Sequence, residues 1–137
     1  LSAGVVETIP IASNAPAAGT SVRVTGWGTT TAAPLGGTFT SDAPSTLHEA
    51  TTTIQDRATA SAWLIGTGLS SVRPCTSVQE FEYIYDWDAY VVTGSATDPD
   101  QGFCSGDSGG PLTIVDSSSP VGRSLVAVVS HGWSCGV

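Results

Sequence analysis

Short runs of strand-forming residues, separated by turns rich in Gly, Pro, Ser and Asp, recur along the whole of this 137-residue chain. Runs of this length and spacing are typical of a β-sandwich or a β-barrel. They lie at residues 22–28, 47–54, 91–93, 112–115 and 125–129. Residues 56–64 are the one stretch that predicts a short helix, and no repeat of fixed period is present. A chain of this length can bury one core, so we expect a single all-β domain.

The composition agrees with this interpretation and argues against two classes of function. Only 12% of the residues are charged and Lys is absent, so turn and strand chemistry dominates. The formal net charge is −8, and no cluster of cations is present that would displace counterions from phosphates, which argues against nucleic-acid binding. No apolar run approaches the roughly 20 residues of a membrane-spanning helix, so we expect no membrane association.

Two segments differ from the predicted strands. Residues 1–20 are rich in Pro, Ala, Ser and Thr without any period, which indicates a linker that lies on a surface, and their start lacks the pattern of a signal peptide. Residues 80–90 (EFEYIYDWDAY) combine acidic and aromatic side chains. They are too apolar for a disordered tail, so we expect a packed loop or hairpin there.

Residues 104–112, which read CSGDSGGPL, are the candidate functional site. Three glycines around Ser108 leave the backbone free to turn and to approach a substrate closely. The amides of Gly106 and Ser108, two residues apart in a tight turn, could both point at one developing oxyanion. Most chance matches to G-x-S-x-G are flexible surface loops, but a match over nine residues is far more specific. Ser108 is therefore a candidate nucleophile for acyl transfer.

The chain resembles the chymotrypsin/trypsin family of serine endopeptidases in three segments. CSGDSGGPL is similar to the family's nucleophile loop, residues 24–28 (VTGWG) to the strand that opens its second barrel, and residues 129–135 (VSHGWSC) to its specificity-pocket wall. The resemblance implies the second of two six-stranded antiparallel Greek-key β-barrels at residues 21–137, after an inter-barrel linker at 1–20. By the same resemblance the barrel is incomplete at its C-terminal end.

The resemblance also implies the roles of individual residues. Ser108 corresponds to the nucleophile, and the Gly106 and Ser108 amides form the oxyanion hole. Asp107 corresponds to the residue that pairs with the new N-terminal amine when a zymogen is cleaved. The implied substrate-binding residues are Gly102, Phe103, Ser105, Ser130, His131 and Gly132. Since Gly102 stands where the trypsin branch has an aspartate, we expect apolar or aromatic substrates to be preferred over basic ones.

The three cysteines allow at most one bridge within the chain. The resemblance implies a disulfide between Cys104 and Cys135, which in turn implies an oxidising compartment and secretion. Cys75 has no matching partner and falls in an apparent insertion. Val22 and Ile114 occupy both ends of another bridge common in the family, so apolar packing is expected to replace it.

The catalytic base and its orienting aspartate are expected from the missing N-terminal half of the protease. His48 lies in a predicted strand, and His131 lies where the family has an aromatic residue beside the substrate backbone. The implied partners are therefore that N-terminal half, a peptide or protein substrate and protein inhibitors. No metal or cofactor is expected, since no His/Cys/Asp cluster has ligand spacing.

Two other interpretations remain. GDSGG also satisfies the nucleophile elbow of α/β-hydrolases, with Ser108, Asp116 and His131 in the right chain order. An elbow needs a helix after the serine, whereas here Pro111 and a strand-like run follow. The second alternative is a catalytically inactive homologue that acts as a binding or regulatory module.

Overall fold

The computed structural model describes residues 7–31, 43–66, 89–94 and 102–130. Their main element is an antiparallel sheet in the order β2-β1-β3-β4. Its strands are β1 (Ser21–Gly26), β2 (His48–Thr53), β3 (Pro111–Val115) and β4 (Arg123–Val128). A strand-rich architecture agrees with the all-β prediction. The six strands and the Greek-key closure stay predictions, because the described ranges contain these four strands.

The sheet register places one face of each strand in the core. Val24 pairs with Ala50 of β2 on one side and with Leu112 of β3 on the other. Because successive side chains of a strand point to opposite faces, Val22 lies on the same face as Val24, and Arg23 lies on the other. Arg23 forms a surface ion pair there, with 3.1 Å between its Nη1 and Oε2 of Glu49.

The core cluster consists of the buried side chains of Val22, Val24, Ile54, Leu112 and Val129. Ile114 packs against this cluster, which also contains Val22. This arrangement agrees with the expectation that apolar packing links these two positions. The cluster therefore packs β1 against β3. It lies beside the segment that leads from residue 102 into β3, because Phe103 packs against it.

The predicted helix is present as α1 (Arg57–Gly66). Asp56 caps its first turn: Oδ1 accepts a hydrogen bond from the Thr59 amide at 2.8 Å and Oδ2 from the Thr59 hydroxyl at 2.6 Å. A side-chain acceptor at this position satisfies donors that the helix leaves open. The hydroxyl bond, followed by the amide bond, lowers the pKa of Asp56 below its ordinary value. No helix in the described ranges is long and apolar enough to cross a membrane.

Residues 91–93 form less structure than the predicted strand. Thr93 makes one isolated antiparallel bridge with Ile54. On either side of it, the Gln55 amide donates to the Val92 carbonyl at 2.9 Å, and the Gly94 amide donates to the Thr53 carbonyl at 3.2 Å. The segment thus pairs at a single bridge with Ile54, the residue after β2, instead of forming a strand of its own.

The first described segment pairs with the outer edge of β4 at one residue. Ile11 makes a parallel bridge with Leu125. The Ala12 amide donates to the Leu125 carbonyl, and the Leu125 amide donates to the Pro10 carbonyl, both at 2.8 Å. An uncovered edge strand would present unpaired backbone groups to other chains. This part of the predicted linker therefore satisfies the outward-facing backbone groups of one residue of that edge, Leu125.

A hydroxyl network closes the turn between β3 and β4. Asp116 Oδ1 accepts bonds from the amide and the hydroxyl of Ser118, and its Oδ2 accepts a bond from the Ser124 hydroxyl. The Ser118 hydroxyl, followed by that of Ser124, lowers the pKa of Asp116. This aspartate is thus engaged in its own hairpin, as expected for a structural residue rather than for an α/β-hydrolase triad.

The position of the core generates a prediction with a matched control. Val22→Ala removes two methyl groups from a side chain that is 1% exposed, so we expect a loss of roughly 1–3 kcal/mol in unfolding free energy. Val115→Ala removes the same groups from a side chain that is 77% exposed, and its effect should stay within about 0.5 kcal/mol. Denaturant unfolding of the protein measures both free-energy losses, and equal losses would contradict the assigned core.

Candidate active site

The candidate nucleophile lies in a tight turn of residues 104–110, which we call the serine turn. The turn leads directly into β3, which begins at Pro111. Gly106 has a φ of +100° and Gly109 a φ of +81°. These left-handed conformations strain any residue with a Cβ, so glycine is needed on both sides of Ser108.

Asp107 closes the serine turn with its side chain. Oδ2 accepts a hydrogen bond from the Cys104 amide at 2.8 Å, while the Asp107 amide donates to the Cys104 carbonyl at 3.0 Å. Oδ1 accepts a bond from the Gly28 amide at 2.8 Å, across 79 positions of sequence. Each carboxylate oxygen thus binds a different backbone segment. Charge-assisted bonds of this kind are about twice as strong as neutral ones, so Asp107 ties the serine turn to the end of β1.

The amides of the serine turn divide into two sets. Those of Asp107, Gly109 and Gly110 donate to carbonyl groups of Cys104, Val129 and Asp107, respectively, at 2.7–3.0 Å. Those of Gly106 and Ser108 donate to no acceptor in the part of the chain that the structure describes. Both residues are exposed. The turn therefore holds two open N–H groups, two residues apart. The other backbone N–H groups of residues 107–110 all donate hydrogen bonds within the protein.

Two further segments hold the serine turn in place. At the end of β4, the Gly109 amide donates to the Val129 carbonyl at 2.7 Å, and the Val129 amide donates to the Gly110 carbonyl at 2.9 Å. Beyond β1, the Thr29 amide donates to the Ser105 carbonyl at 2.9 Å. The open amides are thus carried by a backbone that is fixed from both sides.

The structure places only some of the predicted pocket residues. Gly102 and Phe103 are half-buried just before the serine turn, and Phe103 packs against the core cluster. Ser105 and Ser130 are exposed. His131, Gly132, Cys135 and Cys75 lie outside the described residues, so their predicted roles stay predictions.

His48 lies at the start of β2, opposite Gly26 of β1. Its ring is exposed, and its Nε2 lies 3.4 Å from the Thr46 hydroxyl oxygen. This environment agrees with a solvated strand position. In the described ranges, no group of three or more His, Cys, Asp and Glu side chains could hold a metal ion.

The sequence reasoning missed two glycines that contact Asp107. A Cβ built on Gly28 would lie 2.5 Å from both Cγ and Oδ2 of Asp107, and one built on Gly26 would overlap its Oδ1. The signal was present in TGWG, because glycines at alternate positions of a strand often mark a close approach of another group. The approaching group, however, lies 79 positions away from Gly28 and could not be identified from the strand itself.

Comparisons with known proteins agree with this geometry. A family model described as Trypsin matches residues 3–137 of the chain. A curated protein named Trypsin iota, from Drosophila melanogaster, is 35% identical over 129 residues. That alignment covers 94% of this chain and 38% of the relative. The chain therefore spans well under half of the length of the curated relative that it matches.

The position of Asp107 between two amides generates a prediction. Asp107→Asn keeps the shape of the side chain but turns an NH₂ group toward one of the two donors. We expect the loss of one charge-assisted bond, about 1.5–3 kcal/mol, and exchange of the Cys104 and Gly28 amide hydrogens that is about ten- to hundredfold faster. Hydrogen exchange followed by mass spectrometry measures the exchange rates of these two amides. Amides of β2 should keep their protection, and unchanged exchange at both sites would contradict the assignment.

Proposed function

The chain belongs to the trypsin family of serine proteases, and from this we propose that it carries the nucleophile and the oxyanion hole of a serine endopeptidase. The observation that carries the proposal is the pair of open amides at Gly106 and Ser108 beside an exposed serine. Acyl transfer needs fixed donors where negative charge develops, and two such donors in a rigid turn meet that need.

The proposed reaction passes through an acyl-enzyme. Ser108 Oγ attacks the peptide carbonyl carbon while its proton passes to a histidine base, and the carbonyl oxygen becomes an oxyanion between the two amides. The C–N bond then breaks as the base returns that proton to the leaving amine. Water hydrolyses the ester by the same steps and releases Ser108 and the acid.

The base and its orienting aspartate are proposed to come from the N-terminal barrel of the same protease. His48 is solvated on β2 and corresponds to no catalytic position of the family. The alignment covers 38% of the relative Trypsin iota, so most of that relative lies outside it. Peptide or protein substrates would bind across both halves, and protein inhibitors would compete for the same surface.

Asp107 is proposed to take part in activation as well. Gly28 and Cys104 use one acceptor position on each carboxylate oxygen. A carboxylate has about four such positions, so the N-terminal amine created by zymogen cleavage could bind without displacing these bonds. The ion pair would then reinforce a turn that the two amides already hold.

The nucleophile is tested by labelling. In the intact, activated protease we expect a serine-directed phosphonate to react at Ser108, and Ser108→Ala to lower kcat by about 10⁶-fold. Because Ser108 is exposed, the substitution should change the unfolding free energy by no more than about 0.5 kcal/mol. Ser45→Ala, also at an exposed serine, is the matched control. A folded protease that is neither labelled nor active would favour the inactive binding module.

A disulfide between Cys104 and Cys135 is proposed to join the serine turn to the pocket wall. It would close a loop of about thirty residues, which the chain-entropy model rates at roughly 3–4 kcal/mol. Such a bridge also supports a secreted protein. Peptide mapping without reduction should recover the two cysteines in one linked pair. A link from Cys75 to either of them would overturn the pairing.

The pocket is proposed to prefer apolar or aromatic substrate side chains over basic ones. Gly102 places no carboxylate at the pocket base, so a basic substrate would leave its charge unpaired there. Apolar side chains would gain roughly 25 cal/mol per Å² of surface removed from water. On matched peptides we expect kcat/KM for Phe or Leu to exceed that for Arg by at least about tenfold, or ~1.4 kcal/mol.

The variant Gly102→Asp provides the control for specificity, because it introduces a carboxylate at the predicted pocket base. It should raise kcat/KM for Arg peptides relative to Phe peptides. An Arg substrate that beats Phe, Leu and Ala in the native protease would contradict the proposal.

A further inference from the structure

Gly26 and Gly28 together form a notch at the end of β1, which we call the glycine seat. They stand two positions apart, so in extended backbone they face the same side. The Asp107 carboxylate occupies the space that two side chains would fill: a Cβ on Gly26 would lie 2.8 Å from its Cγ, and one on Gly28 would lie 2.5 Å from it. Real Cβ atoms do not approach other atoms this closely.

The same strand end contacts the serine turn on both sides of Ser108. A Cβ on Gly106 would lie 3.2 Å from the Gly28 Cα, so the two backbones touch before the serine. A Cβ on Gly110 would lie 2.9 Å from the Thr25 carbonyl oxygen, so they touch again after it. At Gly106 and Gly110, therefore, the backbone of the turn lies close to that of Gly28 and Thr25.

We propose that Gly26 and Gly28 are positioning residues for the oxyanion hole. The seat lets the Asp107 carboxylate reach the Gly28 amide, and Asp107 lies between the two residues that carry the open amides. A methyl group in the seat would displace the carboxylate, and with it the Gly106 and Ser108 amides. The catalytic part of this inference rests on the proposed peptidase function, whereas the steric part does not.

The expected displacement is large enough to matter for catalysis. At Gly28, relief of the 2.5 Å contact to an ordinary separation of more than 3 Å requires a shift of at least about half an ångström. Misplacement by about 1 Å, which a methyl on Gly26 would approach, costs up to about 100-fold in rate, and loss of one oxyanion donor costs about 10²–10³-fold. The effect should fall on kcat, because the oxyanion donors act in the transition state.

The catalytic test uses the intact, activated protease with Gly28→Ala and Gly26→Ala. We expect kcat to fall about 100-fold while KM changes by less than about threefold. The control is Gly122→Ala, because the positive φ of +70° at Gly122 strains an added side chain, while a Cβ there would meet nothing within 4 Å. That variant should lose stability and keep its kcat. An unchanged kcat in both seat variants would overturn the positioning role.

A double-mutant cycle tests the seat independently of activity. Asp107→Ala removes the carboxylate, so an added methyl at Gly28 then has room. We expect Gly28→Ala to lower the denaturation midpoint of the native protease and to leave that of the Asp107→Ala variant unchanged. Equal shifts in the two backgrounds would overturn the steric seat. If the native protease lacks any Ser108-dependent activity, the proposed function fails, but this cycle still decides whether the seat exists.

Discussion

The carboxylate of Asp107 is the interaction on which the arrangement of this site depends. It accepts one hydrogen bond from Cys104, three residues before it, and one from Gly28, two residues beyond the end of β1. The first bond closes the serine turn, and the second sets its distance from the sheet. A charged acceptor forms stronger hydrogen bonds than a neutral one, and these bonds are more costly to disrupt, so the two bonds of Asp107 stabilise this conformation of the turn.

The core decides where this carboxylate can bind. Val24 of β1 pairs with Leu112 of β3, and the two strands are antiparallel. The end of β1 and the start of β3 therefore lie at the same end of the sheet. The serine turn leads into β3 at that end of the sheet. There it forms hydrogen bonds with the backbone of Val129, just after β4. Burial of apolar side chains therefore determines the register, and the register brings together polar groups that lie far apart in sequence.

This arrangement separates the electrostatic part of the proposed catalysis from the proton transfer. The open amides at Gly106 and Ser108 belong to a backbone whose neighbouring donors are already bound, so they need little reorganisation when charge develops near them. Proton transfer would require a base that approaches the exposed Ser108 from outside the described residues. The proposed mechanism therefore combines an oxyanion site in the serine turn with a base supplied from elsewhere.

Much of the site could be predicted from the sequence, because its chemistry is local. The run CSGDSGGPL indicated the serine, the flexible glycines and the two amides. Short runs of strand-forming residues indicated β1 to β4, and residues 56–64 indicated a short helix. The strand predicted at 91–93 was reduced to a single bridge, because strand pairing depends on partners that a local pattern does not contain. The contacts of Asp107 with Gly26 and Gly28 join segments about 80 positions apart, so tertiary packing alone decided them.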